Sequence, residues 1–167
     1  MGLLRSDFHN LDELLIHELS DIRDAEERIV EALPQMEEAA SSSELKALFR
    51  EHCEQSKKQC ERIDQIFGML NSKPKWETCE AMQGLVKEGK EVINADADPA
   101  VRDAALIAAA QKVEHYEISA YGTARTFAEQ LNRRDVADLL QMTLDEEKET
   151  DRRLTVLAEA RINAMAV

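Results

Sequence analysis

Apolar residues recur along this chain at intervals of three and four, the repeat of a helix that buries one side. From about Asp7 to Ala40 the stripe is Leu15, Leu19, Ile22, Ile29, Leu33 and Met36, which predicts a first long helix. Pro34 predicts a kink or break near its end, because proline lacks an N–H and crowds the preceding turn. Serines 41–43 read as a turn and an N-cap. A second long helix then continues to about Leu70, with Leu45, Phe49, Cys53, Cys60, Ile63, Phe67 and Leu70 inside. "NSKPKWETC" is a linker of turn residues. A shorter helix follows from about Cys79 to Ile93, weakened by Gly84 and Gly89. Asp98 and Pro99 read as the N-cap and first position of a third long helix. It runs to about Leu131 with Leu106, Ala110, Val113, Tyr121, Ala124, Ala128 and Leu131 on one side. After the tight connection "NRRD", a fourth long helix is expected from about Asp135 to Met165, on the stripe Val136, Leu139, Thr143, Leu154 and Leu157.

Short connections join the first helix to the second and the third to the fourth, so each pair is expected to run antiparallel. The connection of about 28 residues between the second and third contains its own helix and can cross the length of a bundle. The expected fold is therefore all-α: a four-helix bundle with an additional shorter helix in the crossover, formed by residues 1–167 as a single domain. A plain up-down bundle is the alternative. Composition agrees, since Ala, Glu, Leu and Lys/Arg dominate and aromatic residues are only 4%.

The polar residues on the buried stripes change the picture. A helix turns about 100° per residue, which places Glu26 within about 20° of the centre of the first stripe. On the third helix Glu117 is close to the centre and Glu114 about 45° off it, while His115 points away. On the fourth, Glu147 and Thr150 fall inside the stripe, flanked by Glu146 and Asp151. On the second, His52, Ser56 and Gln59 point inward and Glu54 points outward. A lone inward glutamate is usually paired with an arginine, and a lone inward histidine is usually a hydrogen-bonded core residue. Here every long helix contributes a candidate ligand near one cross-section, and no Lys or Arg has a comparably central position. Buried carboxylates without cationic side chains repel one another, and a pair of metal ions supplies the missing charge.

Net charge excludes other classes. At −13, the surface disfavours nucleic acid and anionic membranes as partners. No apolar stretch reaches a membrane span. The three cysteines, Cys53, Cys60 and Cys79, do not form a disulfide framework, and read as buried free thiols in a reducing cytoplasm. The start "MGLLRSDFHN" lacks the pattern of a signal peptide, and its fit to a myristoylation pattern is taken as chance. No Ser/His/Asp arrangement, phosphate loop or zinc cysteine pattern supports another enzyme class.

The segments "SDIRDAEERI", "RDAALIAAAQKVEHYEISAYGTARTFAEQL" and "LDEEKETDRRLTVLA" resemble the YciF-like stress-response family of bacteria, within the ferritin-like superfamily. The resemblance covers nearly the whole chain. It implies a ferritin-like bundle, a homodimer and a dinuclear iron site, and so a site more than a reaction; a small oxidant such as oxygen or peroxide is a candidate partner of such a site. The usual ferritin-like ligands are a glutamate from each of two helices and a Glu-x-x-His from each of the other two. Glu26 matches the first helix, and Glu114 or Glu117 the third. The fourth offers Glu147 with Thr150 where histidine is expected, and the neighbouring Asp151 supplies an oxygen instead. The second offers His52-x-x-Gln55, the reverse order. The expected metal ligands are thus Glu26, His52, Glu114, Glu117, Glu147 and Asp151. So oxygen-rich a set suits iron, with manganese as the other candidate. A helical structural protein with a vestigial site is the alternative function.

Overall fold

The computed structural model describes residues 8–75 and 78–167. The expected helix start near Asp7, the "MGLLRS" pattern and Trp76 lie outside the described residues. Five helices stand among those described: α1 (Leu11–Ala39), α2 (Ser43–Met69), α3 (Glu80–Ile93), α4 (Pro99–Gln130) and α5 (Arg134–Leu157). A π-helical turn at Ala158–Ile162 and a last short turn at Asn163–Met165 extend α5. No described helix is long and apolar enough to cross a membrane.

The ends of the helices follow local chemistry. Asn10 caps α1 by accepting from the Glu13 N–H at 2.8 Å, and the Glu13 carboxylate accepts in return from the His9 N–H at 2.9 Å. Ser42 caps α2, and the Cys79 sulfur accepts from the Met82 N–H at the start of α3. Past the ends of α2 and α4 the chain turns through Asn71 (φ 48°) and Asn132 (φ 59°), left-handed conformations that asparagine tolerates better than most residues.

Pro34 does not break α1. The helix continues to Ala39, although proline leaves the Val30 carbonyl without its usual helical donor. The Cys53 thiol of α2 lies 3.8 Å from that oxygen and donates to it. A side chain from the neighbouring helix thus occupies the place of the missing N–H.

The buried stripes form two apolar clusters. One joins Ile29, Leu33 and Met36 of α1 to Phe49 of α2, Met82 of α3, Leu106 of α4 and Leu154 of α5. The other joins Leu15, Leu19 and Ile22 to Ile63 and Phe67, Tyr121 and Ala124, and Val136 and Leu140. Along α2 and α4 the chain passes from the first cluster to the second, and along α1 and α5 it passes back. Helices α2 and α4 are therefore parallel, which excludes the plain up-down bundle and requires a crossover. The crossover, α3, packs on α1 and α4. It is tied down from α1: the Ser20 hydroxyl accepts from the Lys75 N–H at 3.0 Å, and the Asp24 carboxylate from the Cys79 N–H at 2.8 Å. At the far end, buried Asp103 of α4 accepts from the Ser41 and Ser42 N–H groups, both at 2.7 Å, and holds the α1–α2 turn.

Candidate metal centre

Between the two apolar clusters lies a layer of buried polar side chains. Glu26, His52, Ser56, Gln59, Glu114, Glu117, Glu147 and Thr150 are all buried there. Each arises from the periodicity of its helix: Glu26 falls between Ile22 and Ile29 on α1, and Glu117 between Val113 and Tyr121 on α4. His52 and Ser56 stand one turn apart on α2.

His52, Glu114, Glu117 and Glu147 each offer one ligand atom, and these atoms all lie within 4.8 Å of one another. The His52 Nε2 lies 3.4 Å from Glu114 and 4.0 Å from Glu117, and its Nδ1 3.9 Å from Glu147. The imidazole is neutral, because burial pushes its pKa down to about 4. It therefore offers a lone pair rather than a positive charge. Among the described residues, no protein group hydrogen-bonds either nitrogen of His52, either oxygen of Glu117, or Oε2 of Glu26, Glu114 and Glu147. Buried polar atoms left this way are costly unless something binds them.

Electrostatics point the same way. Burial raises the Glu26 pKa to about 7, against the hydrogen bond from Tyr121. Burial also raises Glu114 to about 8. Glu117 is held well above the ordinary carboxylate range by burial and then by the charges of Glu147, Glu26 and Glu114. Glu147 is raised in the same way, by burial and then by Glu114 and Glu26. Near 4–5 Å, two full charges at an effective dielectric of about 20 repel by roughly 3–4 kcal/mol. Three such pairs among Glu114, Glu117 and Glu147 approach the entire net stability of a domain, about 5–15 kcal/mol. The cluster must hold protons or cations, and these four side chains can hold a metal ion between them.

Glu26 sits beside this group, its Oε1 accepting from the Tyr121 phenol at 2.5 Å. Gln59 donates to Glu147 and, at 3.1 Å, to Glu146. Arg62 at the edge pairs with Glu146 at 2.8 Å rather than with the buried four. Asp151 is half-buried and lies outside the group; it accepts from Gln111 at 3.0 Å and stands 3.4 Å from exposed His115. Tyr121 was legible only as an apolar stripe residue, although a phenol on a buried stripe signals a partner to be found. Gln59 was legible as inward, without its partner. The three cysteines are free, and Cys60 is half-buried rather than fully inside.

The shifts set a pH dependence for metal-free protein. A carboxylate whose folded pKa exceeds its unfolded value contributes less stability as pH rises through that interval. For Glu26 and Glu114 the interval runs from 4.5 to about 7 and about 8. His52 acts in the opposite sense, but only between about 4 and its ordinary 6.5. Above pH 6.5 the carboxylates act alone, so the melting temperature of chelator-treated protein should fall from pH 6.5 to 8 and recover on adding metal. A melting series by circular dichroism tests this; a flat or rising metal-free curve contradicts it.

A bundle with a parallel α2–α4 pair, a long crossover and a layer of carboxylates at mid-height has the ferritin-like fold. A ferritin-like, diiron-carboxylate protein from Bacillus anthracis str. Ames shares the fold, with a TM-score of 0.70 at 14% identity, over 90% of this chain and 99% of that one. Residues 10–167 match the family described as a domain of unknown function, DUF892, and the chain belongs to that family. It is 48% identical to Protein YciF of Escherichia coli (strain K12) over 157 residues, 93% of this chain and 95% of YciF. The crystal structure of the E. coli stress protein YciF superposes with a TM-score of 0.91 at 48% identity, over 93% of this chain and 99% of that one. YcfI from Rhodopseudomonas palustris gives a TM-score of 0.87 at 42% identity, over 92% and 98%.

Proposed function

We propose that this chain holds a pair of metal ions, most naturally iron, on Glu26, His52, Glu114, Glu117 and Glu147, and serves oxygen, peroxide or iron chemistry in a stress response. The observation that carries this reading is the set of buried oxygens and imidazole nitrogens left without protein partners around one point. The donors are mostly carboxylate oxygens, which suit iron or manganese. Asp151 stays out of the proposed set, because Gln111 and His115 already engage it.

Bound iron supplies exchange of electrons with a small oxidant. The chain's own residues do the rest. Glu117 and Glu114 share α4 and lie one turn apart, so together they can present oxygens to two positions. His52 faces Glu114 and Glu117 with one nitrogen and Glu147 with the other. Tyr121 donates to one oxygen of Glu26 and leaves the other free to bind. Gln59 does the same for Glu147. Hydrophobic clusters on both sides exclude bulk water. The three free thiols support a reducing, cytoplasmic setting, and the homodimer is carried by the family resemblance alone. Consumption of dioxygen or hydrogen peroxide by the reduced, iron-loaded protein tests the activity. Oxidant uptake in step with iron oxidation is expected; binding of iron with no consumption of either oxidant leaves a metal-holding protein without turnover.

A further inference from the structure

Between α1, α3 and α4 lies an apolar cavity of about 30 Å³. Ile29 and Leu33 of α1, Val86 of α3 and Val113 of α4 wall it. Its inner end is buried His52 and Glu114; at its outer end stand exposed Gln35 and Lys90. Holding metal ions does not require this space, since carboxylates do that. One glycine borders the open space. Gly89 is buried in the middle of α3 and lines the cavity, yet a Cβ there would meet nothing within 4 Å. A mid-helix glycine costs about 1 kcal/mol relative to alanine, and no close approach here demands one.

The lining selects the occupant. A water needs two to four polar partners; the aliphatic walls offer none, and His52 and Glu114 at the inner end are engaged once a metal binds, so the space between the walls stays dry. Hydrogen peroxide, with two O–H donors, fails for the same reason. The volume exceeds the roughly 10–15 Å³ that one water takes by this measure, and falls far below the roughly 300–1,000 Å³ of pockets for drug-sized ligands. That leaves a small apolar molecule. We propose that this cavity seats dioxygen beside His52 and Glu114, a role that rests on the metal centre proposed above and names its oxidant.

Xenon, which settles in dry aliphatic cavities, is the probe. A crystal of the metal-free full chain under xenon pressure should show xenon between Val86, Gly89 and Val113. Gly89→Leu should erase that site while keeping the helical circular dichroism and the iron stoichiometry. In the iron-loaded protein, two ferrous ions give two electrons to one dioxygen, which takes two protons and leaves as hydrogen peroxide. That oxidation should slow about tenfold in Gly89→Leu, as expected if the seated state is populated tenfold less. Oxidation by added hydrogen peroxide, which takes two electrons and two protons to give two waters, should keep its rate. Ala32→Leu, on the opposite wall, should act alike and serves if Gly89→Leu does not fold. Iron uptake with no xenon in the cavity overturns this inference alone, as does an unchanged dioxygen rate in a variant that has lost xenon. Xenon binding with no iron uptake overturns the metal-centre reading and the dioxygen role with it.

Discussion

Glu117→Ala is expected to empty the centre of metal while the bundle stays folded. Glu117 is buried, and among the described residues no protein donor reaches either of its oxygens. It faces the charges of Glu147, Glu26 and Glu114 at once. Two terms then compete in the metal-free variant. Lost packing around a truncated buried side chain costs about 2–4 kcal/mol. Removing the carboxylate relieves repulsion of roughly 3–4 kcal/mol for each ionised neighbour. With more than one neighbour the second term matches or exceeds the first, so metal-free stability holds or rises, most clearly at pH 8. Glu117→Gln, which keeps the volume, should show the gain without the packing loss. Metal analysis and thermal melting check both halves. An unfolded variant, or one with undiminished metal, contradicts the role assigned to Glu117.

His52→Ala carries the second large effect. His52 is the only nitrogen donor in the group, and its neutral state is set by burial rather than by a partner. Its loss should lower metal affinity by at least about 10–100-fold, the range already seen when groups supporting a metal ligand are removed. Glu54, two residues on, is exposed and paired with Lys57 at 2.5 Å, so Glu54→Ala should change neither affinity nor spectrum. Pulsed magnetic resonance on the paramagnetic state should show direct nitrogen coupling that disappears in His52→Ala. Coupling that persists in that variant, or damage from Glu54→Ala, would place the donors of α2 elsewhere.

Periodicity made much of this legible. A mid-helix glutamate on an apolar stripe is conspicuous, because a helix has no reason to bury a charge for its own sake. Glu26, Glu114, Glu117 and Glu147 stood out for that reason, and all four are buried in one layer. His52 was found the same way. Relations between helices were less visible. Asp151 lies four residues after Glu147 on the same side of α5, but Gln111 of α4 claims its carboxylate, and no spacing within α5 announces that. The tie from Asp103 to the turn before α2 spans 61 and 62 residues, beyond the reach of any local pattern. Pro34 suggests a kink or break because the local rule counts only the helix's own donors; the compensating thiol comes from Cys53 on the next helix. The crossover was suggested by the length of the connection, and the parallel course of α2 and α4 decided it.

The central claim is that the buried carboxylates and His52 gather metal. Titration of the chelator-stripped, untagged protein with ferrous iron under anaerobic conditions, read by metal analysis after gel filtration, tests it most directly. About two ions retained per chain, the number a ferritin-like carboxylate centre holds, is the predicted result. Retention no greater than that of Glu117→Ala, with all uptake reversed by salt as on an exposed acidic surface, would contradict it.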